Sequence, residues 1–321
     1  MSDTKKIILS ICIPTYNRAE SLNAVLMRYV ENPEFDEQVE LVISDNASTD
    51  STMEICQKYT SLYPNIKYFR NKENIHDKNF PRVLNCAKGL YLKLLNDYVY
   101  YNESALRYVK SKIIANLDQQ PTMFFTSGYV YNNVEETCLC ESLDEYFQII
   151  SIGLTNNNMF GAWKKDWDAV VDKEKYAALK LMQVDWSCQI VTRSGRVTLF
   201  NESILNYCPA PKMYRGSYNW FKVHLDNYYT ILTPYYRSGS ISHRTLKRDR
   251  KILIKFYRKR LCHIYLLRKD IGFDTDGTWK YFLKYYARDL YFYWFIVSTP
   301  IWFIYQKIES EIKILYSKIK Q

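Results

Sequence analysis

Two apolar segments near the start of the chain each stop abruptly in a polar loop, and this pair constrains the fold more than any other feature. Residues 7–13 lead into Pro-Thr-Tyr-Asn-Arg at 14–18, and residues 41–44 lead into Asp-Asn-Ala-Ser-Thr-Asp at 45–50. Such runs, rich in β-branched residues, are typical of buried parallel strands. Residues 19–30 between them have the pattern of a helix, and parallel sheets bind ligands beyond the carboxyl ends of their strands. The sequence therefore predicts a polar site at one edge of an α/β sheet.

The same two loops resemble those of family 2 glycosyltransferases, enzymes of the GT-A fold that transfer a sugar from a nucleotide diphosphate. The resemblance covers roughly residues 7–210 and implies a Rossmann-like mixed α/β sheet flanked by helices, here with an α-helical C-terminal extension. The residues that it assigns to nucleotide-sugar binding are Pro14, Thr15, Tyr16, Asn17, Arg18, Asp45, Asn46, Ser48, Lys78, Asn79, Asn96 and Asp97. The alternative is an ordinary α/β domain whose loops happen to be polar.

The side chains of the two loops suit a uridine diphosphate. A carboxylate such as that of Asp45 can accept the ring N–H of uracil, and the ring of Tyr16 can stack on the base. The guanidinium of Arg18 suits a diphosphate because its planar donors match phosphate oxygens. We therefore expect a UDP-linked donor.

A further polar segment, residues 71–80, precedes a predicted helix along the donor pocket. Asn74 and Asn79 match the asparagines that the family often has here, while His76 stands where glycine is usual. Lys78 would lie at the helix N-terminus, where its charge would add to the attraction of the helix dipole for a diphosphate. The alternative is an ordinary surface lysine.

The loop that usually carries the Asp-x-Asp motif of the family keeps only its first acid. Asp97 holds that position, and Tyr98 and Val99 replace the other two acids. One carboxylate can hold Mg²⁺ or Mn²⁺ together with donor phosphates and water, so the departure weakens the case for a metal without excluding it. The alternatives are an inactive enzyme and metal-free stabilisation of the phosphates. The basic residues available for the latter are Arg18, Lys78 and Arg82.

Asp185 opens a late helix at the place where inverting members of the family carry the general base. A carboxylate fits this task because the acceptor hydroxyl need lose its proton only as the new C–O bond forms. The alternative is a helix cap, since aspartate is common at helix starts and stabilises them by about 1 kcal/mol. Asp166 and Asp168 are less favoured candidates for the base. Before this helix the sequence predicts another over residues 172–182.

The C-terminal segment, residues 247–321, carries the whole net charge of the chain. It contains 17 Lys or Arg against 7 Asp or Glu, and the chain as a whole has a net charge of +10. Residues 290–306 are uncharged and rich in Trp, Tyr and Phe, as in segments that lie at the headgroup layer of a membrane. We expect this segment to lie in the plane of an anionic membrane surface. The alternatives are a helix that packs on the protein or at a dimer contact, and a membrane span kinked at Pro300. Without a nucleic-acid-binding signature, nucleic acid is not expected as a partner.

Together these patterns predict an inverting glycosyltransferase that moves a sugar from a nucleotide sugar to a hydroxyl of a glycan or lipid-linked glycan, in the synthesis of a surface polysaccharide such as capsule or lipopolysaccharide. We divide the chain into a nucleotide-sugar-binding half (residues 1–110), an acceptor half of the same domain (111–245) and the basic tail (246–321). Eight cysteines without paired spacing and a start unlike a signal peptide suggest the cytoplasm, at the inner face of the cell membrane. A non-catalytic binding module that retains the fold is the alternative; the oligomeric state is not predicted.

Overall fold

The computed structural model describes residues 6–130, 135–208, 218–268 and 272–319, without the side chains of residue 259 and residues 310–319. A loop predicted from the sequence to close over the site, residues 208–217, lies outside this part of the chain except for Cys208.

Helices and strands alternate through the first hundred residues, as the sequence predicts. The strands are β1 (Leu9–Thr15), β2 (Val39–Asp45), β3 (Ile66–Arg70), β4 (Tyr91–Leu94), β5 (Val99–Tyr100), β6 (Met123–Phe125), β7 (Thr137–Cys140), β8 (Gly161–Trp163), β9 (Val197–Phe200) and β10 (Asn206–Tyr207). The helices are α1 (Ala19–Val30), α2 (Thr52–Leu62), α3 (Asn79–Cys86), α4 (Glu103–Ala115), α5 (Leu143–Ile150), α6 (Lys164–Asp168), α7 (Met182–Ser194), α8 (Tyr228–Arg237), α9 (His243–Leu261), α10 (Thr278–Tyr286) and α11 (Leu290–Ile319). The helix predicted over residues 19–30 is thereby confirmed.

The central sheet has the strand order β3-β2-β1-β4-β8. The first four strands run parallel and β8 pairs antiparallel with β4. Strands β1 and β2 are buried along nearly their whole length, which explains their continuous apolar sequences. The mixed sheet flanked by helices confirms the predicted fold class, and its parallel strands all end at the same edge.

Two smaller sheets accompany the central one. Strand β5, just after Asp97, pairs antiparallel with β10. In the other sheet, β9 pairs parallel with β6 and antiparallel with β7. Segments distant in sequence are thus brought next to the loop that follows β4.

The prediction of a helix over residues 172–182 is wrong. Only a single 3₁₀ turn forms, at Ala177–Leu179, and Lys180 after it has a left-handed φ of 65°. The preceding backbone is bonded to α7 instead: the indole N–H of Trp186 donates to the Lys173 carbonyl oxygen (2.9 Å), and Gln189 pairs with both backbone polar groups of Val171. Tertiary hydrogen bonds have replaced the local ones that a helix would supply.

A glycine such as Gly89, which follows a predicted helix, suggests a left-handed turn, but Gly89 does not adopt one. Helix α3 ends earlier, at Cys86, and φ at Gly89 is not positive. Glycine is needed here because the chain passes close to β1: a Cβ atom at Gly89 would lie 2.5 Å from the Ser10 hydroxyl oxygen and 2.7 Å from its backbone nitrogen.

Two compact units make up the chain. Unit 1 comprises Met1–Met213 with Thr230–Ser242, and unit 2 comprises Tyr214–Tyr229 with His243–Gln321. The first contains all three sheets, and its core is formed by side chains from α1, β1, β2, β4 and α4. The second is helical and packs around aromatic rings, among them Trp220, Tyr257 and Phe282. Within the described residues, no helix has both the length and the apolar character needed to cross a membrane.

Candidate active site

The polar loops predicted to form a site meet at the carboxyl ends of β1, β2 and β4. Thr15 and Asp45 are the last residues of β1 and β2 and are partners in the ladder. The Thr15 hydroxyl donates to the Asp97 carboxylate over 2.9 Å, which joins the first loop to the loop after β4. The structure thus brings together residues separated by 82 positions in the sequence.

Hydrogen bonds join the loops after β1 and β2 to each other. The Asn17 backbone N–H donates to the Ser48 hydroxyl oxygen (2.9 Å), and the Asn17 side-chain oxygen accepts from the Thr49 backbone N–H (2.7 Å). Asn17 and Ala47 have left-handed φ values of 51° and 62°, a conformation that costs a residue with a Cβ atom some energy. Such backbone is held only where its surroundings fix it, which suggests a preorganised pocket wall.

Asp45 is fully buried, and its carboxylate is held by two residues that the sequence analysis missed. One oxygen accepts from the Tyr68 hydroxyl (2.7 Å) and the Arg70 guanidinium (2.8 Å), and the other from the Ser48 backbone N–H (2.9 Å). Burial, together with the hydrogen bond to Asp45, raises the pKa of Tyr68. The register of β2 and β3, which pairs Asp45 with Arg70, is the signal that could have revealed this contact.

Asn46 and Asn79 are buried, and their amide groups are used within the protein. Asn46 bonds Asn74 and the backbone of residues 75–76, while Asn79 bonds Ser44 through both its oxygen and its nitrogen. These contacts hold the pocket wall together. His76 has a left-handed φ of 51°, which accounts for the glycine usual at this position.

Lys78 lies immediately before α3, as predicted, but it forms an ion pair. Its ammonium nitrogen is 2.9 Å from a Glu174 carboxylate oxygen, and both side chains are about half exposed. Exposed pairs of this kind contribute little free energy, so a phosphate could compete for the lysine.

Asp97 is buried beside half-buried Arg18. Burial raises the pKa of Asp97 to about 6, although the hydrogen bond from Thr15 and the charge of Arg18 oppose the change. Most of the carboxyl group is therefore ionised at pH 7. Its neighbour Asn96 donates its backbone N–H to the Asn158 side chain over 2.8 Å. Tyr16 is exposed at the rim and accessible for stacking.

Asp185 lies in the first turn of α7 and does not cap it. The residue at the N-cap position is Leu181. The two carboxylate oxygens of Asp185 accept from the Tyr235 hydroxyl and the Gln189 amide, each over 2.7 Å, and these contacts replace the backbone bonds of a cap. They hold the carboxylate in one orientation and leave each oxygen a further acceptor position.

A cleft of about 590 Å³ opens at Asp185, with Lys175, Tyr235 and Ser238 among its lining residues. We call it the Asp185 cleft. Within the described part of the chain, none of the residues that line it comes from the loops around Asp45 and Asp97. Two hydrogen bonds connect the regions: Gln183, also in the first turn of α7, donates to the Thr155 carbonyl oxygen (3.0 Å), and Asn158 accepts from Asn96. The less favoured Asp166 lines a different cleft, with Lys165 and Arg196.

Comparison with known families gives this arrangement a name. Residues 10–138, which contain the loops after β1, β2 and β4, match the family described as Glycosyl transferase family 2. The match covers less than half of the chain. The family 2 match confirms the resemblance that the two polar loops suggested from the sequence.

Two curated relatives illustrate the likeness of the family 2 segment. The chain is 41% identical over 86 residues to Abequosyltransferase RfbV of Salmonella typhimurium, a match that covers 26% of each chain. It is 29% identical over 100 residues to Poly(ribitol-phosphate) beta-glucosyltransferase of Bacillus spizizenii, covering 30% of this chain and 16% of that enzyme. The matches thus span about a quarter or less of these relatives' lengths.

Solved structures share the GT-A fold at low sequence identity. TarS of S. aureus superposes with a TM-score of 0.52 and 17% identity, covering 79% of this chain and 43% of that one. A mannosyltransferase, PcManGT of Pyrobaculum calidifontis, superposes with a TM-score of 0.54 and 13% identity, covering 93% and 87%. The family 2 segment of this chain therefore lies within a GT-A fold.

Proposed function

We propose that the protein is an inverting glycosyltransferase that moves a sugar from a nucleotide sugar, with UDP as the nucleotide, to a hydroxyl group of a glycan or lipid-linked glycan in surface polysaccharide synthesis. The observation that carries the proposal is the meeting of three polar loops at the strand ends, joined by the hydrogen bond from Thr15 to Asp97. Support for the nucleotide comes from TarS of S. aureus, whose structure has been solved in complex with UDP and with UDP-GlcNAc.

In this proposal the uracil ring lies between exposed Tyr16 and the pair formed by Asp45 and Arg70. Because Asp45 is enclosed by its partners, it recognises the base together with Arg70, whose side chain is 36% exposed. Arg18 and Lys78 are the cations for the diphosphate, and Asp97 contacts the ribose or the phosphates. Tyr68 keeps Asp45 in place.

A divalent cation such as Mg²⁺ or Mn²⁺ would have to be held by Asp97 together with donor phosphates and water. Among the described residues, no group of three His, Cys, Asp or Glu side chains could hold a metal ion by itself. A single buried carboxylate beside a diphosphate fits such a shared site. The metal would neutralise charge on the departing nucleotide, as Arg18 and Lys78 can also do.

Asp185 is the proposed general base. The acceptor hydroxyl would enter from the Asp185 cleft, and the carboxylate would take its proton as the new bond to the sugar C1 forms and the bond from C1 to the nucleotide breaks. The Tyr235 hydroxyl and the Gln189 amide hold the base, and the lining of the cleft offers hydroxyl and charged groups suited to a glycan.

Binding of UDP and CDP by calorimetry tests the nucleotide site. We expect the protein to prefer UDP, because uracil presents a ring N–H donor where cytosine presents an acceptor. Asp45→Asn should weaken UDP binding about tenfold and abolish the preference, while Glu54→Gln, an equal charge change on exposed α2, should change neither. Equal binding of UDP and CDP by the unaltered protein would contradict the assignment of Asp45, and a thermal melt of each variant excludes unfolding as the cause.

We further propose that the enzyme works at the inner surface of an anionic membrane, through unit 2. Six apolar residues of α11 with 52–86% exposure repeat at alternating intervals of four and three and form one stripe, namely Leu290, Trp294, Val297, Ile301, Ile304 and Ile308. Phe292 and Phe295 on its other face are buried. A helix that is apolar on all sides needs a cover for its exposed face.

Helix α9 is rich in cations and packs against α11, which favours an anionic bilayer as the cover of the stripe. The Arg258 guanidinium is 4.6 Å from the Phe295 ring centre, and the Lys251 ammonium is 5.7 Å from that of Tyr291. Residues 290–306 lack the charged flanks by which paired helices usually recognise each other. In a dimer formed through this face, the α9 cations of the second copy would lie close to those of the first, which disfavours a second copy as the cover.

Flotation with vesicles of phosphatidylglycerol and phosphatidylcholine at 0.15 M salt tests the membrane contact. We expect Trp294→Ser with Ile301→Ser to weaken binding about tenfold or more, because the lost apolar burial is worth roughly 1.5–3 kcal/mol per side chain. Leu62→Ser with Ile114→Ser, two exposed apolar residues of unit 1, should bind like the unaltered protein. Failure of the unaltered protein to float, or a solution dimer that only the α11 variant loses, would contradict the bilayer proposal.

A further inference from the structure

Tyr98, which replaces the second acid of the family motif, belongs to a cluster of three tyrosines next to Asp97. Its ring stacks on that of Tyr207, with centres 6.4 Å apart and planes 26° from parallel. The Tyr129 and Tyr207 hydroxyl oxygens are 3.1 Å apart and share a hydrogen bond. We call Tyr98, Tyr129 and Tyr207 the tyrosine shelf.

The backbone on both sides of the shelf is fixed. Tyr207 pairs with Val99 in the β5–β10 ladder, and the Cys208 backbone N–H donates to the Tyr98 carbonyl oxygen over 2.9 Å. The Ser127 hydroxyl oxygen accepts from the backbone N–H groups of Ile204 and Leu205, at 3.1 and 3.2 Å. The Asn96 side chain donates to the Tyr98 hydroxyl over 3.1 Å, which ties the shelf to the Asp97 loop. The rings are therefore in place before any ligand arrives.

The shelf borders an open cleft of about 210 Å³. Ser127, Ser203 and the backbone of Gly128 line this cleft together with Tyr129 and Tyr207. Tyr207 is 50% exposed and Tyr129 40% exposed, so part of each aromatic surface faces solvent. Rings that only filled the core would be buried, as those of Tyr91 and Tyr101 are.

This combination of flat apolar surface and hydroxyl groups matches a pyranose ring. The C–H groups on one side of a sugar ring form an apolar face that packs on an aromatic ring, while its hydroxyl groups bond polar groups at the edge. Tyr98 directly follows Asp97 in the chain and its hydroxyl oxygen accepts from Asn96, so the shelf adjoins the proposed diphosphate site. A sugar on the shelf would lie beside the donor linkage.

We propose that the tyrosine shelf is a carbohydrate subsite that binds one pyranose ring next to the reacting centre. The inference rests on the proposed function, and the ring can come from two sources, the donor or the acceptor glycan. It also gives Tyr98, which stands in place of a carboxylate of the family motif, a supporting role: its ring stacks on that of Tyr207.

Binding experiments on the full chain separate the two sources. Calorimetry compares UDP with UDP-glucose and UDP-N-acetylglucosamine, and an array of bacterial surface oligosaccharides is probed in the presence of UDP. The variants are Tyr207→Ala and Tyr207→Phe, with Tyr236→Ala as an exposed tyrosine elsewhere in the same unit. Phenylalanine keeps the stacking ring and removes only the hydroxyl group.

We expect Tyr207→Ala to lose about tenfold in affinity in one of the two experiments, as truncation of an aromatic anchor does. Loss of array binding identifies the acceptor ring, and loss of the extra affinity of UDP-sugar over UDP identifies the donor ring. Tyr207→Phe should stay within about threefold of the unaltered protein, and Tyr236→Ala should match it.

Unchanged binding by Tyr207→Ala in both experiments, with normal UDP affinity, would overturn the subsite alone. Equal loss in Tyr207→Phe and Tyr207→Ala would also overturn it, because stacking would not then be the cause. Absence of any UDP binding by the unaltered protein would instead refute the proposed function on which the subsite rests.

Discussion

Asp185→Asn should lower the turnover number by about 100-fold or more and leave the affinity for UDP unchanged. Asparagine has the same shape: its amide oxygen can accept from Gln189, and its NH2 group can donate to the Tyr235 hydroxyl oxygen. It cannot accept a proton at neutral pH, so the loss falls on the chemical step. Steady-state kinetics of sugar transfer and calorimetry with UDP measure the two quantities separately.

Asp172→Asn is the matched control, because Asp172 lines the same cleft and is exposed. It should keep most of the activity. If Asp185→Asn remains as active as this control, Asp185 is not the base. In that case Asp166, which lines a different cleft, becomes the next candidate.

Lys93→Met should raise the stability of the protein at pH 7 markedly. Lys93 lies within β4, is completely buried, and its ammonium nitrogen has no hydrogen-bond partner. Burial lowers the pKa of Lys93 to about 7 from an ordinary value of 10.5. Such a shift corresponds to at most about 5 kcal/mol, and methionine fills similar space without the charge. At roughly 2–4 °C per kcal/mol, the upper limit of the expected rise in Tm is about 10–20 °C.

The pH dependence of stability gives this prediction a second readout. Between pH 7 and 10.5 the unfolded chain binds a proton at Lys93 that the folded chain has released, so stability rises with pH in this window. Lys93→Met should abolish that part of the rise. Lys67→Met, on exposed β3, should leave it intact. A lower Tm for Lys93→Met at pH 7 would show that the lysine stabilises the fold.

The sequence was sufficient to predict the helices and strands of the nucleotide-sugar-binding half because the signals for them are local. Helix α1 forms where its apolar spacing and the flanking strands predict it, at Ala19–Val30. The helix prediction for residues 172–182 failed because the backbone there bonds to Trp186 and Gln189, which follow it in the chain. Propensity cannot anticipate a competing partner of this kind.

The partners of the site residues were the harder part. Loops that follow parallel strands must converge, so the nearness of Asp45 to the other loops follows from the fold. That Asp45 is enclosed depends on the β3 register, which one sequence does not define. The same holds for the contact between Tyr235 and Asp185, because Tyr235 lies 50 residues further along the chain.

The exposed stripe on α11 illustrates a third limit. The sequence shows that residues 290–306 are uncharged and rich in aromatic residues. Composition alone cannot tell which face of the helix is covered. Phe295 proves to be buried while Trp294 next to it is exposed. Pro300 lies inside the helix, which continues to Ile319.

The most direct test of the central claim is release of UDP from a panel of UDP-sugars by the purified protein. Transferases commonly hydrolyse their donor slowly when no acceptor is present, and Asp97 is the carboxylate placed nearest the diphosphate in this account. We predict UDP release from at least one member of the panel, reduced about tenfold or more by Asp97→Asn. UDP binding without release from any member would contradict a catalytic role and favour a binding module that has kept the fold.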